Sequence, residues 1–241
     1  RFKALFAAAA AVTMVSAYMK AHLKSLGCPE SKLHLIHVGK KIADYEYREK
    51  INAPIRNFIS IGRLSEKKGF LDCIAAFRML LRQYPDMTLQ IIGTGELESE
   101  IKAVLQDPLV ANNIRLLGAL PHDQVKQALK KADAFILCSK TSVNGEKEGI
   151  PTVLMEAQAM GLPCISTLHS GIPEVFPAEA KQLLAREGDQ GDIAEKIEAL
   201  MNMPQAELEK IRSEGRAMIE ANFNLRTETE KLYNLMQTLL N

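Results

Sequence analysis

Apolar residues in this chain gather into short continuous runs, and between the runs they return at every third or fourth position. From Asn57 onward, NFISIG (57–62), TLQIIG (88–93), IRLLG (114–118), AFILC (134–138), PCIS (163–166) and a shorter QLLA (182–185) read as strands. Between the first two, GFLDCIAAFRMLLRQYP (69–85) places Phe70, Ile74, Phe77 and Leu81 on one helical face. Further helices are expected from about Glu96 to Leu105, from His122 to near Ala132, and from Pro151, since proline suits a first helical turn where no amide donor is missed. After Asp189 the pattern is helical: DIAEKIEALMNM, AELEKIRSEGRAMIEANF, and a last helix from Thr227 to Leu240. Strands that are apolar on both faces, separated by amphipathic helices, predict an α/β fold, a Rossmann-like parallel sheet with helices on both faces. Ligands bind such sheets beyond the carboxyl ends of the strands, so the loops after Gly62, Gly93, Gly118 and Cys138 should carry the chemistry.

The first 54 residues read as a separate, partial Rossmann-like piece. VTMVS (12–16), AYMKAHLKSLG (17–27) and HLIHV (34–38) give strand, helix and strand, and the polar stretch from Gly39 to Pro54 gives a connector to a main domain over 55–241. The start, RFKALFAAAAAVTMVSA, imitates a signal peptide with its basic end, apolar middle and small residues. Its direct continuation into VTMVSAYMKAHLKSLG favours folded sequence instead. A first residue of Arg rather than Met reads as a piece of a longer or processed chain.

Composition narrows the function. A net charge of +1 gives no electrostatic reason to expect nucleic acid, and the lack of Trp removes the best base-stacking side chain. No apolar run approaches the length of a membrane span. Cys28, Cys73, Cys138 and Cys164 show no C-x-x-C spacing, which fits free thiols in a reducing, cytosolic setting. No D-x-D pair, metal-ligand cluster, G-x-S-x-G or P-loop occurs.

The richest stretch is EGIPTVLMEAQAMGLPCIST (148–167), with Glu148 and Glu156 eight positions apart across a loop-to-helix junction. Amides around Gly149, Ile150 and Thr152, beside Pro151, would face outward from a helix N-terminus, a ready site for phosphate. Glu148 alone could serve only the helix dipole, worth about 0.3–1 kcal/mol. Glu156 sits among Leu154, Ala157 and Met160, where a charge needs a reason. Two carboxylates can accept hydrogen bonds from vicinal hydroxyls of a ribose or hexose. Arg63 and Lys68, in GRLSEKKG, could neutralise a diphosphate at the end of the first main strand, although Glu66-Lys67-Lys68 is also what a solvated loop looks like. GTGEL (93–97) lacks the third glycine of a dinucleotide fingerprint and reads as a tight turn. His122 reads as part of a helix cap, and His169 as a candidate donor contact. Without a metal site, charge on a leaving diphosphate would fall to Arg63, Lys68 and helix amides.

GRLSEKKG, GTGEL, EGIPTVLMEAQAMGLPCIST and HSGIPE (169–174), in that order, resemble the donor-binding half of family-four retaining glycosyltransferases of GT-B architecture. The resemblance runs from about Val15 to the C-terminus, with the upstream pieces similar to the end of the family's acceptor-binding domain. It implies that Arg63 and Lys68 hold the donor diphosphate and that Glu148 lies beside the donor sugar, these three being the catalytic set. Glu156, second acid of an E-x7-E signature, would bind ribose. Gly149 and Ile150 amides would meet sugar or phosphate, the backbone near Leu120 would face the base, and Gly62, Gly93, Pro151 and Thr152 would complete the donor site. The implied reaction takes a UDP- or GDP-sugar as substrate, needs no metal or other cofactor, and transfers with retention to a saccharide or lipid-linked acceptor. Polysaccharide or glycolipid assembly is implied, and EKEGIPTVLMEA with TLHSGIPE leans toward colanic-acid-like exopolysaccharides. The whole enzyme would be cytoplasmic, with peripheral contact to the inner membrane face. The last helix looks like one that crosses back onto the acceptor domain.

Departures accompany the match. HVGKKIADY, with Lys40 and Lys41, replaces an H-N-G-V-D-like run, and PAEAKQLLAREGD lacks a G-x-L entry to the sixth strand. The family's glycine-rich loop and donor-facing histidine lie outside these residues, so this chain alone is expected to bind nucleotide without appreciable transfer. Three alternatives remain at this point: a nucleotide-sugar 2-epimerase, a donor-domain remnant that binds nucleotide or a partner without turnover, and an NAD-binding module, against which the incomplete glycine pattern counts.

Overall fold

A computed structural model of the protein describes residues 2–51 and 54–240. Arg1 of the basic start, Asn52 and Ala53 of the expected connector, and Asn241 lie outside the described residues. The elements are α1 (Phe2–Ala8), β1 (Val12–Met14), α2 (Met19–Ser25), β2 (Leu33–Leu35), β3 (Asn57–Ile61), α3 (Phe70–Leu80), β4 (Thr88–Ile92), α4 (Glu98–Val104), β5 (Ile114–Leu116) and α5 (His122–Lys131). They continue with β6 (Ala134–Ile136), α6 (Thr152–Ala159), β7 (Cys164–Thr167), β8 (Leu184–Ala185), α7 (Gln190–Met201), α8 (Gln205–Asn222) and α9 (Leu225–Leu240).

Six strands form the main sheet in the order β5-β4-β3-β6-β7-β8, every pairing parallel. The order reverses between β3 and β6, so the loops leaving these two strands open the crevice where such folds bind ligands. The α/β layout expected from the apolar runs is therefore present. The α3 face lies where its spacing puts it: Phe70, Ile74 and Phe77 are buried, and the Phe77 ring meets Phe58 of β3 edge-on at 5.2 Å. The helix ends earlier than 69–85, at Leu80, and continues as a turn in which the Tyr84 amide donates to Leu80 O (2.9 Å) before Pro85. β5 also stops short, at Leu116, ahead of the left-handed turn at Gly118 (φ 70°).

The N-terminal piece is a two-stranded parallel sheet, β1 with β2. The segment that imitates a signal peptide folds as α1 and β1. The Phe6 ring is buried, and Lys32 Nζ donates to the carbonyls of Phe6 (2.9 Å), Ala7 (3.1 Å) and Ala9 (2.7 Å), satisfying the orphan acceptors at the end of α1. Sequence periodicity gave no helix there, since seven residues with an alanine run show little spacing.

Several hydrogen bonds join the piece to the main domain, among them two clasps. The Glu174 carboxylate, in HSGIPE, accepts from the amides of Ala17 (2.8 Å) and Tyr18 (2.9 Å). At the connector, Lys40 N donates to Phe223 O (2.7 Å), Leu225 N donates to Lys40 O (2.9 Å), and His37 N donates to Glu228 of α9 (2.6 Å). α9 thus returns to the N-terminal piece. Among the described residues no helix is long and apolar enough to cross a membrane.

Candidate active site

The loop after β3 is built around buried Leu64, whose amide donates to Thr94 O (2.9 Å) and whose carbonyl accepts from Leu97 N (3.0 Å). With Leu64 pinned inward, Arg63 is turned out to the crevice mouth, and its Nε lies 3.2 Å from Glu96 Oε2. The glycine of the next loop is dictated by packing. Gly93 adopts φ 146°, and a Cβ there would come within 1.9 Å of Gly62 O. GTGEL is therefore the tight turn that the missing third glycine pointed to, and its backbone fits against the β3 loop. Between these loops lies a cavity of about 540 Å³, lined by Gly62, Arg63, Gly93, Thr94, Ala119 and Leu120 among others. That is within the range of small-molecule sites, ~300–1,000 Å³. Gly62, Arg63, Gly93 and Leu120 are thus brought together from three separate loops.

The second half of the crevice is the long loop from β6 to α6. The Glu66-Lys67-Lys68 run, which reads as solvated, is zipped to it. The Glu66 carboxylate accepts from Val143 N (3.1 and 3.2 Å), Lys67 Nζ lies 3.7 Å from Glu146, and Lys68 Nζ pairs with Glu148. The Lys68 and Glu148 side chains are only 14% and 17% exposed, so their charges form one partly desolvated unit. Gly69 permits the approach of the two loops, since a Cβ on it would stand 1.8 Å from Cys138 O.

Pro151 is the N-cap of α6 (φ −62°, ψ 120°), one position ahead of the first turn where it was expected, and α6 starts at Thr152. No side chain caps this terminus, so its first amides stay open to the crevice side. A Cβ at Gly149 would meet nothing within 4 Å, which leaves free space beside Ile150 and the α6 terminus.

Glu156 is held elsewhere. It is buried, and its Oε1 lies 2.5 Å from Lys40 Nζ. Burial, with the Glu156 charge and hydrogen bond behind it, pushes the Tyr45 hydroxyl up to about 12. Glu156 does not line the cavity, so the two acids of the eight-residue spacing look to different loops, Glu148 to the β3 loop and Glu156 to the connector. Lys40 was visible only as a departure in HVGKKIADY. The charge placed among apolar neighbours at Glu156 was the signal that a cation had to be near.

His169 is 2% exposed and has no nitrogen left for a ligand. Its Nε2 accepts from the Glu148 amide (3.0 Å), and its Nδ1 pairs with Glu187. Burial pushes the Glu187 carboxyl up, but the His169 ring and Thr141 outweigh it and hold the group below its ordinary value. The donor contact expected of His169 is replaced by a contact to the loop itself. His122 opens α5, where Pro121 is the N-cap and no side-chain cap bond forms, so the capping expected of His122 is not made. All four cysteines are free and buried, and burial raises the Cys164 thiol while contact with Cys73 raises Cys138, so neither serves as a nucleophile. Among the described residues no three His, Cys, Asp or Glu gather as a metal site would require.

Residues 44–218 match the family described as glycosyl transferases group 1. The amylovoran biosynthesis glycosyltransferase AmsK of Erwinia amylovora is 33% identical over 237 residues, which cover 98% of this chain and 58% of that protein. A GDP-mannose-dependent monoacylated α-(1-6)-phosphatidylinositol monomannoside mannosyltransferase of Corynebacterium glutamicum is 32% identical over 178 residues, 73% of this chain and 45% of that protein. The chain spans about half the length of the curated relatives it matches. Among solved structures, a glycosyltransferase of Rickettsia africae superposes with a TM-score of 0.83 at 19% identity, covering 96% of this chain and 64% of that one. HepE of Anabaena, in complex with UDP and glucose, gives 0.80 at 18% identity, covering 95% and 64%. At such identities the structural likeness establishes the shared fold, and with the sequence match it leads to one conclusion: the chain belongs to the glycosyl transferases group 1 family.

Proposed function

We propose that this chain is the donor-binding half of a glycosyltransferase that moves a sugar, with retention of anomeric configuration, from a nucleotide sugar to a saccharide or lipid-linked acceptor. The observation that carries the reading is the placement of Arg63 and the Lys68–Glu148 pair on the two loops that flank the β3/β6 reversal. The nucleoside occupies the cavity, with its base against the backbone near Ala119 and Leu120. The diphosphate lies between Arg63, Lys68 and the open amides of the α6 terminus. Arg63 exchanges Glu96 for phosphate oxygens, and Lys68 exchanges Glu148 in the same way. Glu148, released, accepts from a hydroxyl of the donor sugar. Charge developing on the leaving diphosphate is then met by two cations and a helix N-terminus, and the transfer runs without a metal. Glu156 reaches the ribose by exchanging Lys40 for the diol.

Relatives named for amylovoran biosynthesis and for a phosphatidylinositol mannoside support an acceptor in polysaccharide or glycolipid assembly. A lipid-linked acceptor would place the whole enzyme at the inner membrane face, in the cytoplasm, by peripheral contact. Arg63, Lys68 and Glu148, all in place, argue against a binding-only remnant; a 2-epimerase would need further acids that this chain does not supply. The test is a thermal-shift titration with UDP, GDP and ADP, repeated on Arg63→Ala. A ligand of the folded state at a hundredfold excess over its dissociation constant stabilises by about 2.7 kcal/mol. A shift with one nucleotide that is lost in the variant supports the reading and names the base. No shift with any nucleotide, or an unchanged shift in the variant, overturns it.

A further inference from the structure

We propose that His169, oriented by Glu187, is a positioning residue that holds the Glu148 loop in its donor-binding shape once Lys68 has been given over to phosphate. The inference rests on the donor-site reading above and extends it to residues that do not touch the donor.

Glu148 lies on a stretch without helix or strand between β6 and α6, and Val143, near its tip, is 87% exposed. Local order there has to come from specific bonds. Three of them bear on Glu148: the Lys68 ion pair, the Glu148 amide donating to His169 Nε2, and Thr141 Oγ1 donating to Glu187 Oε1 (3.1 Å). Glu187 therefore anchors the loop twice, through Thr141 directly and through the His169 ring to the Glu148 backbone.

The chemistry of the ring is determined by its partners. An amide points at Nε2, so Nε2 is an unprotonated acceptor. The proton then sits on Nδ1 and is donated to the Glu187 carboxylate, which fixes the tautomer and the ring plane together. The ring is itself immobilised. The Leu168 amide donates to Ala185 O (2.7 Å), tying its strand end to β8, and the Ile172 amide donates to His169 O (3.0 Å). Ser170, next in line, has φ 52° and is alone in positive φ among described non-glycine residues, so this turn is held against its own preference.

The Lys68 pair shares the task of placing Glu148. When donor phosphate takes Lys68, that hold is gone, and among the described residues the His169 bond is what still ties the Glu148 amide. Ligands that reach the loop should therefore depend on His169, and ligands that stop at the first phosphate should not. A residue of merely structural importance would weaken both kinds of ligand together.

The experiment measures dissociation constants by isothermal titration on this chain for UDP-glucose and UMP, and for GDP-mannose and GMP, after thermal melts confirm folding. In His169→Ala the nucleotide sugar is expected to bind at least tenfold more weakly, with the monophosphate unchanged within twofold. His169→Gln, whose Oε1 can accept from the Glu148 amide, is expected to restore nucleotide-sugar affinity to within threefold. Should His169→Ala fail to fold, Glu187→Ala replaces it: that side chain is 40% exposed, and the same split between the two ligands is expected at smaller amplitude. Unchanged nucleotide-sugar affinity, parallel weakening of both ligands, or no recovery with Gln overturns the assignment. If the unmutated chain binds none of the four, the donor-site reading itself falls and takes this one with it.

Discussion

Removing the Lys68 amine tests the central ion pair and the donor site in one series. Lys68→Met keeps the length and apolar body of the side chain but leaves the Glu148 carboxylate without its cation, at 17% exposure. Breaking a fully buried pair costs about 3–5 kcal/mol. At these exposures, with the Glu148 side able to rehydrate, about 1–3 kcal/mol is the expected loss, read from urea unfolding midpoints. Glu148→Gln added to Lys68→Met removes the uncompensated charge and should recover at least half of that loss, a coupling within the ~0.5–3 kcal/mol range of contacting residues. Binding should behave oppositely. A charged hydrogen bond contributes about 1.5–3 kcal/mol, so both Lys68 variants should bind the nucleoside diphosphate roughly ten- to 150-fold more weakly, by isothermal titration. Recovered stability without recovered binding is the signature. If the double variant is no more stable than Lys68→Met, or if diphosphate affinity survives the loss of Lys68, the reasoning about this pair is wrong.

Gly93→Ala should destabilise by about 2–6 kcal/mol, combining strained backbone with overpacking against Gly62 O, whereas Gly149→Ala, facing open space, should stay within about 0.5 kcal/mol by the same unfolding assay. Because the Glu187 carboxyl is depressed on folding, its contribution to stability is full above the ordinary value of 4.5 and is lost as pH falls through the lower, folded value; Glu187→Gln should flatten that part of a stability–pH curve, and an unchanged slope would count against the His169 pair. Tyr45 is raised, so its contribution is full below pH 10 and lost as pH climbs toward about 12, and Tyr45→Phe should remove a late-ionising tyrosine from an ultraviolet titration. The α9 face bearing Leu232, Tyr233, Met236 and Leu239 is exposed, so this chain should self-associate: sedimentation coefficients should fall on dilution, and a monomer at every concentration would refute it.

The sheet was legible because its strands are apolar on both faces, and the loop glycines marked where each strand ended. The loops after Gly62 and Gly93, with Arg63, could be placed at one edge because a parallel sheet sends all its strand ends there, whereas Leu120 followed only from the family resemblance. Side-chain pairings were not legible. Lys40 meets Glu156 across 116 positions of sequence, and nothing local in either segment names the other. The Glu66-Lys67-Lys68 run looks like any solvated turn until the β6–α6 loop is laid beside it, rung against rung. His169 was read as a donor contact from its nearness to the EGIP loop, and the structure gives both its ring nitrogens protein partners. Its proximity to the phosphate loop is a matter of chain order, while its engagement of both ring nitrogens depends on Glu187 from the far side of β8. α1 went unseen because the lysine that finishes it comes from more than twenty residues downstream.

Arg63 with Glu96, and Lys68 with Glu148, match each of these two crevice cations with an anion. Such a site projects little net field, so inorganic phosphate or stray acidic metabolites gain little by entering: they would displace a carboxylate and leave it stranded. A nucleotide sugar differs because it brings hydroxyls for the displaced acid along with oxyanions for the freed base. On the donor-site reading, discrimination against the commonest anions of the cell is thereby built into these two pairings.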